Sequence, residues 1–363
     1  MNTATKITPE ISRANVTKGT FLLMYKSSWN QRFRTVGTFR TTDRRYWQKM
    51  GYSAIYYIVS IYYPILAAVG IPVNLAAIVI LSRRNCGLSK CITRYLMAMA
   101  AADLMVVVFG VVLDKINALY LYADFLVKPP LCGVGPILTI AAMDCSVWLT
   151  VAFTFDRYVA ICLQKLRTRY CTERTATVVI VAVVIGSCVQ TFPFYFAAQP
   201  GTCIPKPEYY TSSLWRGYEL FDTIMNPLLP LGLILLFNVL TTRYIIAVNM
   251  LRRGLRRNTD SQSDPEVKNR RKSMVLLFAL SANFVLLWIT NIVQSMTWAA
   301  VNVFFTDKYY NTPTFILQES GYMLMLLSSC TNTCIYGLSQ RKLREELKNG
   351  ATYLFTLNGK LCK

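Results

Sequence analysis

Residues 132–163 read CGVGPILTIAAMDCSVWLTVAFTFDRYVAICL, an apolar run that begins at a cysteine and contains an acidic-basic-aromatic triplet near its end. The roughly 30 Å hydrocarbon core of a bilayer is crossed by about 20 helical residues, and this run is longer. Cys132 and Arg157 are 25 residues apart, which corresponds to about 38 Å along an α-helix. The stretch therefore predicts a transmembrane helix with Asp156-Arg157-Tyr158 at one membrane surface.

Six further apolar runs of comparable length occur along the chain. The seven predicted spans are 54–81, 95–117, 132–163, 175–198, 219–247, 273–301 and 314–338. The composition agrees, because 54% of the 363 residues are hydrophobic and only 16% are charged, against about 25% in soluble proteins. We therefore predict an all-α membrane protein, a seven-transmembrane helix bundle with its termini on opposite sides.

The chain contains no histidine, which is the commonest general base and metal ligand in proteins. Histidine-bound zinc and histidine-activated serine or cysteine nucleophiles are therefore excluded. We predict that the protein is not an enzyme and holds no histidine-bound metal. A net charge of +21 leaves nucleic acid as a possible partner until the charges are placed.

The basic residues mark the orientation of the bundle. Of the 39 Lys and Arg, 24 lie in the loops after spans one, three and five, in the span ends that adjoin these loops, or in the C-terminal tail. Cytoplasmic loops carry such an excess, so the N-terminus is predicted outside and the C-terminus inside, with a multi-pass position in the plasma membrane. Ten basic residues of the N-terminal tail oppose this orientation. Most of the basic residues are explained by the orientation of the chain in the membrane, so no nucleic-acid partner is expected.

Two tails flank the predicted bundle of residues 54–338. The tail 1–53 is predicted to be extracellular and disordered, with a glycosylation sequon at Asn15. Its Arg- and Thr-rich composition is also similar to a mitochondrial transit peptide, which remains an alternative. The cytoplasmic tail 339–363 contains a short amphipathic segment, 341–348, that is expected to lie on the membrane surface as an eighth helix.

The eleven cysteines can be sorted by side. Nine fall in predicted spans or cytoplasmic segments, where thiols stay reduced. Cys132 and Cys203 alone lie on the oxidising outer side, so we predict a disulfide that ties the loop after span four to span three.

Polar and aromatic residues at particular depths complete a recognisable pattern. Asn74 lies in span one, Asp103 in span two, Asp156-Arg157-Tyr158 in span three, Pro230 in span five, Trp288 in span six, and Asn332-Thr333-Cys334-Ile335-Tyr336 in span seven. The chain thereby resembles the rhodopsin-like (class A) G-protein-coupled receptors over about residues 54–350. A finer resemblance, to the orphan subfamily named probable G-protein coupled receptor 139-like, rests on residues 148–154, 332–338 and Gln340.

The resemblance implies two internal sites. One is an activation switch, which would comprise Asp156, Arg157, Tyr158, Trp288, Phe284, Pro230, Val147, Asn332 and Tyr336. The other is an allosteric sodium site made of Asp103, Ser146, Ser329 and Asn332. An intramembrane aspartate costs about 2.5–3.5 kcal/mol on insertion scales, so Asp103 must face the bundle interior. A purely structural hydrogen-bond network is the alternative to a sodium site.

The chain also departs from the pattern of the family. Arg270 stands where the family has the glutamate that locks the inactive state, which predicts higher basal signalling. Thr290 and Thr333 replace the prolines of spans six and seven. Asp144 is a second intramembrane acid, and the sequence shows no partner for it.

The outer half of the bundle is expected to bind the ligand. The predicted pocket comprises Asp114, Thr139, Met143, Trp288, Asn291, Gln294, Glu319 and Tyr322. Thr139 replaces the aspartate of amine receptors, which argues against a biogenic amine. The subfamily responds to aromatic amino acids, whereas the acids suit a peptide or cationic ligand, so the ligand stays open.

The function that follows is a receptor that couples an extracellular small molecule or peptide to a heterotrimeric G protein. Arrestin and receptor kinases would be further partners, and the lipid bilayer surrounds the bundle. The competing hypothesis is a seven-span transporter or channel, which would require a charged path or inverted repeats that the sequence lacks.

Overall fold

The computed structural model describes residues 54–83, 88–121, 123, 131–199, 206, 208–209, 212–255, 265–301 and 313–339. Seven long helices form a bundle. Helix α1 spans Ala54–Ser82, α2 begins as Lys90–Met105 and continues as a wider π-helix over Val106–Leu121, and α3 spans Leu131–Cys162. Helix α4 spans Glu173–Thr191. Helix α5 runs through Ser213–Thr223, a π-helical turn Ile224–Leu228, and Leu229–Leu255. Helices α6 and α7 span Pro265–Val301 and Pro313–Ser339.

Hydroxyl side chains begin three of these helices. Ser89 accepts a hydrogen bond from the backbone N–H of Ile92 at 3.4 Å ahead of α2, and Thr172 accepts one from Thr175 at 3.2 Å ahead of α4. Ser212 caps α5 in the same way. Such caps satisfy backbone donors that the first turn of a helix leaves unpaired.

Side chains exposed along the helices are apolar, as contact with lipid requires. Outward-facing Ile58, Ile61 and Ile65 on α1, and Val181 and Val189 on α4, are each at least half exposed. Six helices within the described residues are long and apolar enough to cross a membrane. Helix α7 is equally long but carries buried polar groups, which leave it less apolar.

Helix α3 lies at the centre of the bundle and packs against α2, α4, α5 and α6. Two thirds of its most apolar segment is buried, more than in any other span of the described chain. One apolar cluster fills the outer half of the bundle, and a second cluster fills the cytoplasmic half around Tyr95, Leu149 and Phe153. Any side chain on the inner faces of α3 therefore lies in the middle of the protein.

Several helix boundaries differ from the predicted spans, and α5 and α6 both begin earlier than predicted, at Ser213 and Pro265. The span predicted at 175–198 corresponds to Glu173–Ala197, in which α4 ends at Thr191 and a short helix Phe194–Ala197 follows, because Pro193 has no N–H to continue the α-helical ladder. The span predicted at 95–117 extends over 90–121. Lys115 lies inside this helix and is 3% exposed.

Candidate functional site

A buried polar network surrounds Asp103 in the middle of the bundle. Ser146 on α3 donates to Asp103 Oδ1 at 2.6 Å, and Asn332 on α7 donates to Asp103 Oδ2 at 3.2 Å. Ser329 also contributes a side-chain hydrogen bond to this carboxylate. Asn283 on α6 donates to Asn332 Oδ1 at 3.1 Å, so four helices meet through one network.

A second polar group joins α1 to α7 beside this network. The amide of Asn74 donates to the carbonyls of Gly70 and Ser329 at 2.9 and 3.0 Å. Its Oδ1 accepts a hydrogen bond of 2.6 Å from the hydroxyl of Thr333. Asn74 and Thr333 are almost fully buried, at 0% and 1% exposure. Thr333 thus gives α7 a direct side-chain bond to α1 where the family pattern has a proline.

A small cavity lies between this network and Trp288. Trp288 Nε1 donates to Ser328 Oγ at 3.2 Å, and its ring lies 5.3 Å from that of Phe284. The cavity leaves about 10 Å³ for the centre of a water molecule, which is room for about one water. Its walls are Met143, Ser146, Val147, Thr150, Phe284, Trp288, Met325, Ser328, Ser329 and Asn332.

The cytoplasmic end of α3 holds a buried ion pair. Arg157 donates through Nε to Asp156 Oδ2 at 3.0 Å and through Nη2 to the same oxygen. The side chains of Arg157 and Asp156 are 8% and 1% exposed. The thiol of Cys91 donates to Asp156 Oδ1 at 3.1 Å, and the Arg157 guanidinium lies 5.7 Å from the ring centroid of Phe153.

Cys171 lies beside this pair in the loop between α3 and α4. Its thiol donates to the backbone carbonyl of Asp156 at 3.6 Å. Burial, together with the negative charge of Asp156, raises the pKa of the Cys171 thiol to about 12. Tyr158 points elsewhere and stacks on Phe237 of α5 with a centroid distance of 5.8 Å.

A cluster of acidic and aromatic side chains lies in the outer half of α1, α2 and α7. It consists of Tyr63, Asp114, Lys115, Glu319 and Tyr322, and we call it the outer cluster. Lys115 Nζ lies 4.7 Å from the ring centroid of Tyr322 and 5.9 Å from that of Tyr63. Asp114 interacts electrostatically with both Lys115 and Glu319, and the two tyrosines interact electrostatically with both acids.

The comparison with known families identifies the chain. The family described as 7 transmembrane receptor (rhodopsin family) matches residues 73–336. The chain belongs to this family. The identification of the chain as a rhodopsin-like G-protein-coupled receptor is thereby confirmed, as is the prediction that it is not an enzyme.

Three curated relatives cover most of the receptor. It is 24% identical over 291 residues to "Probable G-protein coupled receptor 142" of Mus musculus, a match covering 79% of this chain and 71% of that protein. Identity is 24% over 309 residues to "Neuropeptides B/W receptor type 2" of Bos taurus, covering 81% and 85%. The receptor is 23% identical over 276 residues to "Tachykinin-like peptides receptor 86C" of Drosophila melanogaster, a match covering 70% of this chain and 51% of that protein.

The structure brings the four predicted sodium-site residues together, and it divides the predicted switch residues between two places. Val147, Phe284 and Trp288 share the outer apolar cluster, and Pro230 is buried in α5. Asp156 and Arg157 form their ion pair at the cytoplasmic end of α3. The side chains of Tyr336 and Arg270 lie outside the described residues.

The predicted ligand-pocket residues of the receptor divide into three groups. Asp114, Glu319 and Tyr322 belong to the outer cluster. Met143 and Trp288 line the cavity below. The remaining residues, Thr139, Asn291 and Gln294, lie where one helix closely approaches another.

Two glycines make those approaches possible. A Cβ at Gly110 would lie 2.8 Å from the Thr139 methyl, and one at Gly321 would lie 3.3 Å from Gln294 Oε1 and from the backbone of Asn291. Thr139 is itself 2% exposed and donates to the carbonyl of Gly135 at 3.0 Å. The Thr139 methyl group, the Gln294 amide and the backbone of Asn291 therefore lie where two helices pack closely.

Sequence reasoning did not find the partners of Asp144. Asn226 on α5 donates to Asp144 Oδ1, and Thr191 on α4 donates to Oδ2 at 3.5 Å. A neighbouring contact joins Gln190 to Asp222 at 3.1 Å. Asn226 immediately precedes Pro227 within the π-helical turn of α5, and an Asn-Pro pair inside a predicted span was the signal available in the sequence.

Several predicted features lie outside the described residues. These are the sequon at Asn15, the disulfide between the side chains of Cys132 and Cys203, the amphipathic segment 341–348, and both predicted tails beyond Ala54 and Ser339. They remain predictions, as does the finer resemblance to the 139-like subfamily.

Proposed function

We propose that this receptor converts the binding of an extracellular small molecule or peptide into activation of a heterotrimeric G protein. The observation that carries the proposal is the buried Asp156–Arg157 ion pair at the cytoplasmic end of α3. A buried arginine needs its partner, because an unpaired charge in this environment is costly. Outward movement of α6 would open a path to Arg157 and let the guanidinium meet the G protein instead.

A continuous set of packed groups supports transmission from the outer half to this pair. Trp288 contacts α7 through Ser328, and Phe284 packs on Trp288. Below them, Asn283 links α6 to Asn332 and so to Asp103. Rotation of α6 would therefore exchange these hydrogen bonds, and such discrete rearrangements are the usual basis of helix movements.

The ligand is proposed to be a peptide or a small molecule such as an aromatic amino acid. Two of the relatives are named as receptors for tachykinin-like peptides and for neuropeptides B/W, which supports the peptide. The resemblance to the 139-like subfamily supports the aromatic amino acid. Peptides and aromatic amino acids are both tested in the experiment described below.

We further propose that Asp103, Ser146, Ser329 and Asn332 hold a sodium ion that stabilises the inactive state. The donor set fits a hard cation, since Asp103, Ser146 and Ser329 offer carboxylate and hydroxyl oxygens, while Asn332 holds the carboxylate through its NH2 group. The cavity beside Ser146, Ser329 and Asn332 offers room for about one water, which supports a hydrated site. The alternative is a structural hydrogen-bond network without an ion.

The remaining parts of the proposal concern the surroundings of the bundle. We place the receptor in the plasma membrane, with arrestin and receptor kinases as further cytoplasmic partners. A disulfide from Cys132 to Cys203 and a glycan on Asn15 would mark the outer side. Peptide mapping of the mature receptor, with and without reduction, tests the disulfide and the glycan together.

The test of the function is expression of the full chain in cells carrying calcium and cyclic-AMP reporters. Aromatic amino acids and amidated peptides are added in parallel to cells expressing the native receptor and the Arg157→Ala variant. A response that requires Arg157 supports the proposal. A response of equal size in the variant contradicts the proposed mechanism, provided that surface labelling shows equal expression.

A further inference from the structure

We propose that the carboxylates of Asp114 and Glu319 bind a cationic group of the extracellular ligand, an ammonium or a guanidinium. This inference rests on the proposed function, because it names the ligand chemistry of the same receptor. Its basis is the outer cluster of Tyr63, Asp114, Lys115, Glu319 and Tyr322.

Four buried polar atoms of the cluster have no hydrogen-bond partner among the described residues. They are Asp114 Oδ2, Glu319 Oε2 and the hydroxyls of Tyr63 and Tyr322. Glu319, Tyr63 and Tyr322 are 5%, 0% and 8% exposed. Native proteins satisfy nearly all such groups, so several of them in one cluster indicate a missing partner. Two carboxylate oxygens and two hydroxyls together match the donors of an organic cation.

The net charge of the outer cluster also favours a cationic ligand. Two carboxylates and one ammonium leave one negative charge when all three groups are ionised. Lys115 Nζ lies over the faces of Tyr322 and Tyr63 at 4.7 and 5.9 Å, which shows that these rings present a surface suited to a cation. A ligand cation would complete the charge balance at the two carboxylates, while Lys115 keeps its place over the rings.

Asp114 is the most exposed member of the outer cluster. Asp114 as a residue is only half-buried, although its Oδ2 atom is covered. It lies eleven residues beyond Asp103 along α2, toward the outer end of the helix. The carboxylate therefore stands between the outer surface and the buried interior of the bundle.

The experiment uses the full receptor, purified in lipid-containing detergent, and a panel of small probes. L-argininamide, L-lysinamide, agmatine and tyramine are the cations, and L-citrullinamide is the neutral match for argininamide. Apparent affinity is taken from the rise of the melting temperature with probe concentration, because a ligand that binds the folded state stabilises it. The variants are Asp114→Asn, Glu319→Gln and the charge-retaining Asp114→Glu.

Glu208→Gln is the matched control variant, because it removes one acid from an exposed position on the outer side. We expect at least one cation to stabilise the native receptor and citrullinamide to have no effect. Asp114→Asn and Glu319→Gln should each lower the apparent affinity for that cation by at least about 30-fold. Asp114→Glu and Glu208→Gln should retain the binding.

Three results would overturn the inference. The first is a panel in which no cation raises the melting temperature, and the second is equal stabilisation by argininamide and citrullinamide. The third is stabilisation by sodium chloride alone that disappears in Asp114→Asn, since the site would then bind a metal ion. Nucleotide exchange on purified G protein is measured on the same samples, with and without an agonist found in the reporter assay. Exchange without cation binding rejects only this inference, whereas cation binding by a receptor that catalyses no exchange even with agonist rejects only the proposed function.

Discussion

Replacing Thr333 by valine should destabilise the bundle through a single lost hydrogen bond. Thr333 Oγ1 donates to Asn74 Oδ1 at 2.6 Å, and both residues are almost completely buried. Valine keeps the shape of the side chain but leaves the Asn74 oxygen without this donor. An unpaired buried acceptor costs about 1–3 kcal/mol in general, whereas side-chain hydrogen bonds inside membranes average about 0.6 and reach about 1.7 kcal/mol. We therefore expect a loss of about 1–1.5 kcal/mol.

The assay is thermal unfolding of the purified receptor, with Thr333→Ser as the matched control. A change of 1 kcal/mol shifts the melting temperature by about 2–4 °C in domains of 150–250 residues. Thr333→Val should therefore melt about 2–6 °C below the native receptor, and Thr333→Ser within about 1 °C of it. Equal melting of the valine variant and the native receptor would refute the claim that this bond anchors α7 to α1.

Three further outcomes follow from the contacts. Gly70→Ala should lower the melting temperature, because its Cβ would lie 2.5 Å from the Cys330 sulfur, and such overpacking costs about 1–3 kcal/mol. Gly135→Ala is the control and should leave the melting temperature unchanged, because nothing lies within 4 Å of the added atom. In Asp103→Asn, agonist affinity should no longer respond to sodium chloride when compared with choline chloride. The Cys171 pKa of about 12 keeps its thiol protonated at pH 8. Iodoacetamide should therefore modify it at least about 100-fold more slowly than a peptide thiol of pKa about 8.5, with a rate still rising toward pH 10; rapid alkylation in intact receptor would contradict the geometry.

The sequence was sufficient to place Asp103 inside the bundle, because an aspartate in a span must face polar partners. It also placed Ser146 and Asn332 at matching depth, and both donate to Asp103. Helical periodicity and span boundaries fix depth, which is why the seven spans and the depth of these residues could be predicted. The hydrogen bond from Asn283 could not be predicted, since it depends on the rotation of α6 about its axis.

Two features that the sequence did not predict have a common physical cause, which is local departure from α-helical geometry. The outer half of α2 is π-helical, and Lys115 lies there in the buried outer cluster. A wider turn changes which faces its residues occupy, so a period of 3.6 residues fails there. Likewise, Asn226 has extended backbone angles within α5, with φ −154° and ψ 106°. Its side chain reaches Asp144, and no helical pattern in the sequence would have paired them.

The central claim is that the buried ion pair at the end of α3 holds Arg157 away from the G protein. The most direct measurement is agonist-independent GDP release from purified G proteins by the native receptor, Asp156→Asn and Arg157→Ala. Asparagine weakens the pair by removing the charge that holds the guanidinium, so Asp156→Asn should release GDP faster than the native receptor, while Arg157→Ala should show only the rate of G protein alone. Release by Asp156→Asn no faster than by the native receptor, with both variants folded, would contradict the account.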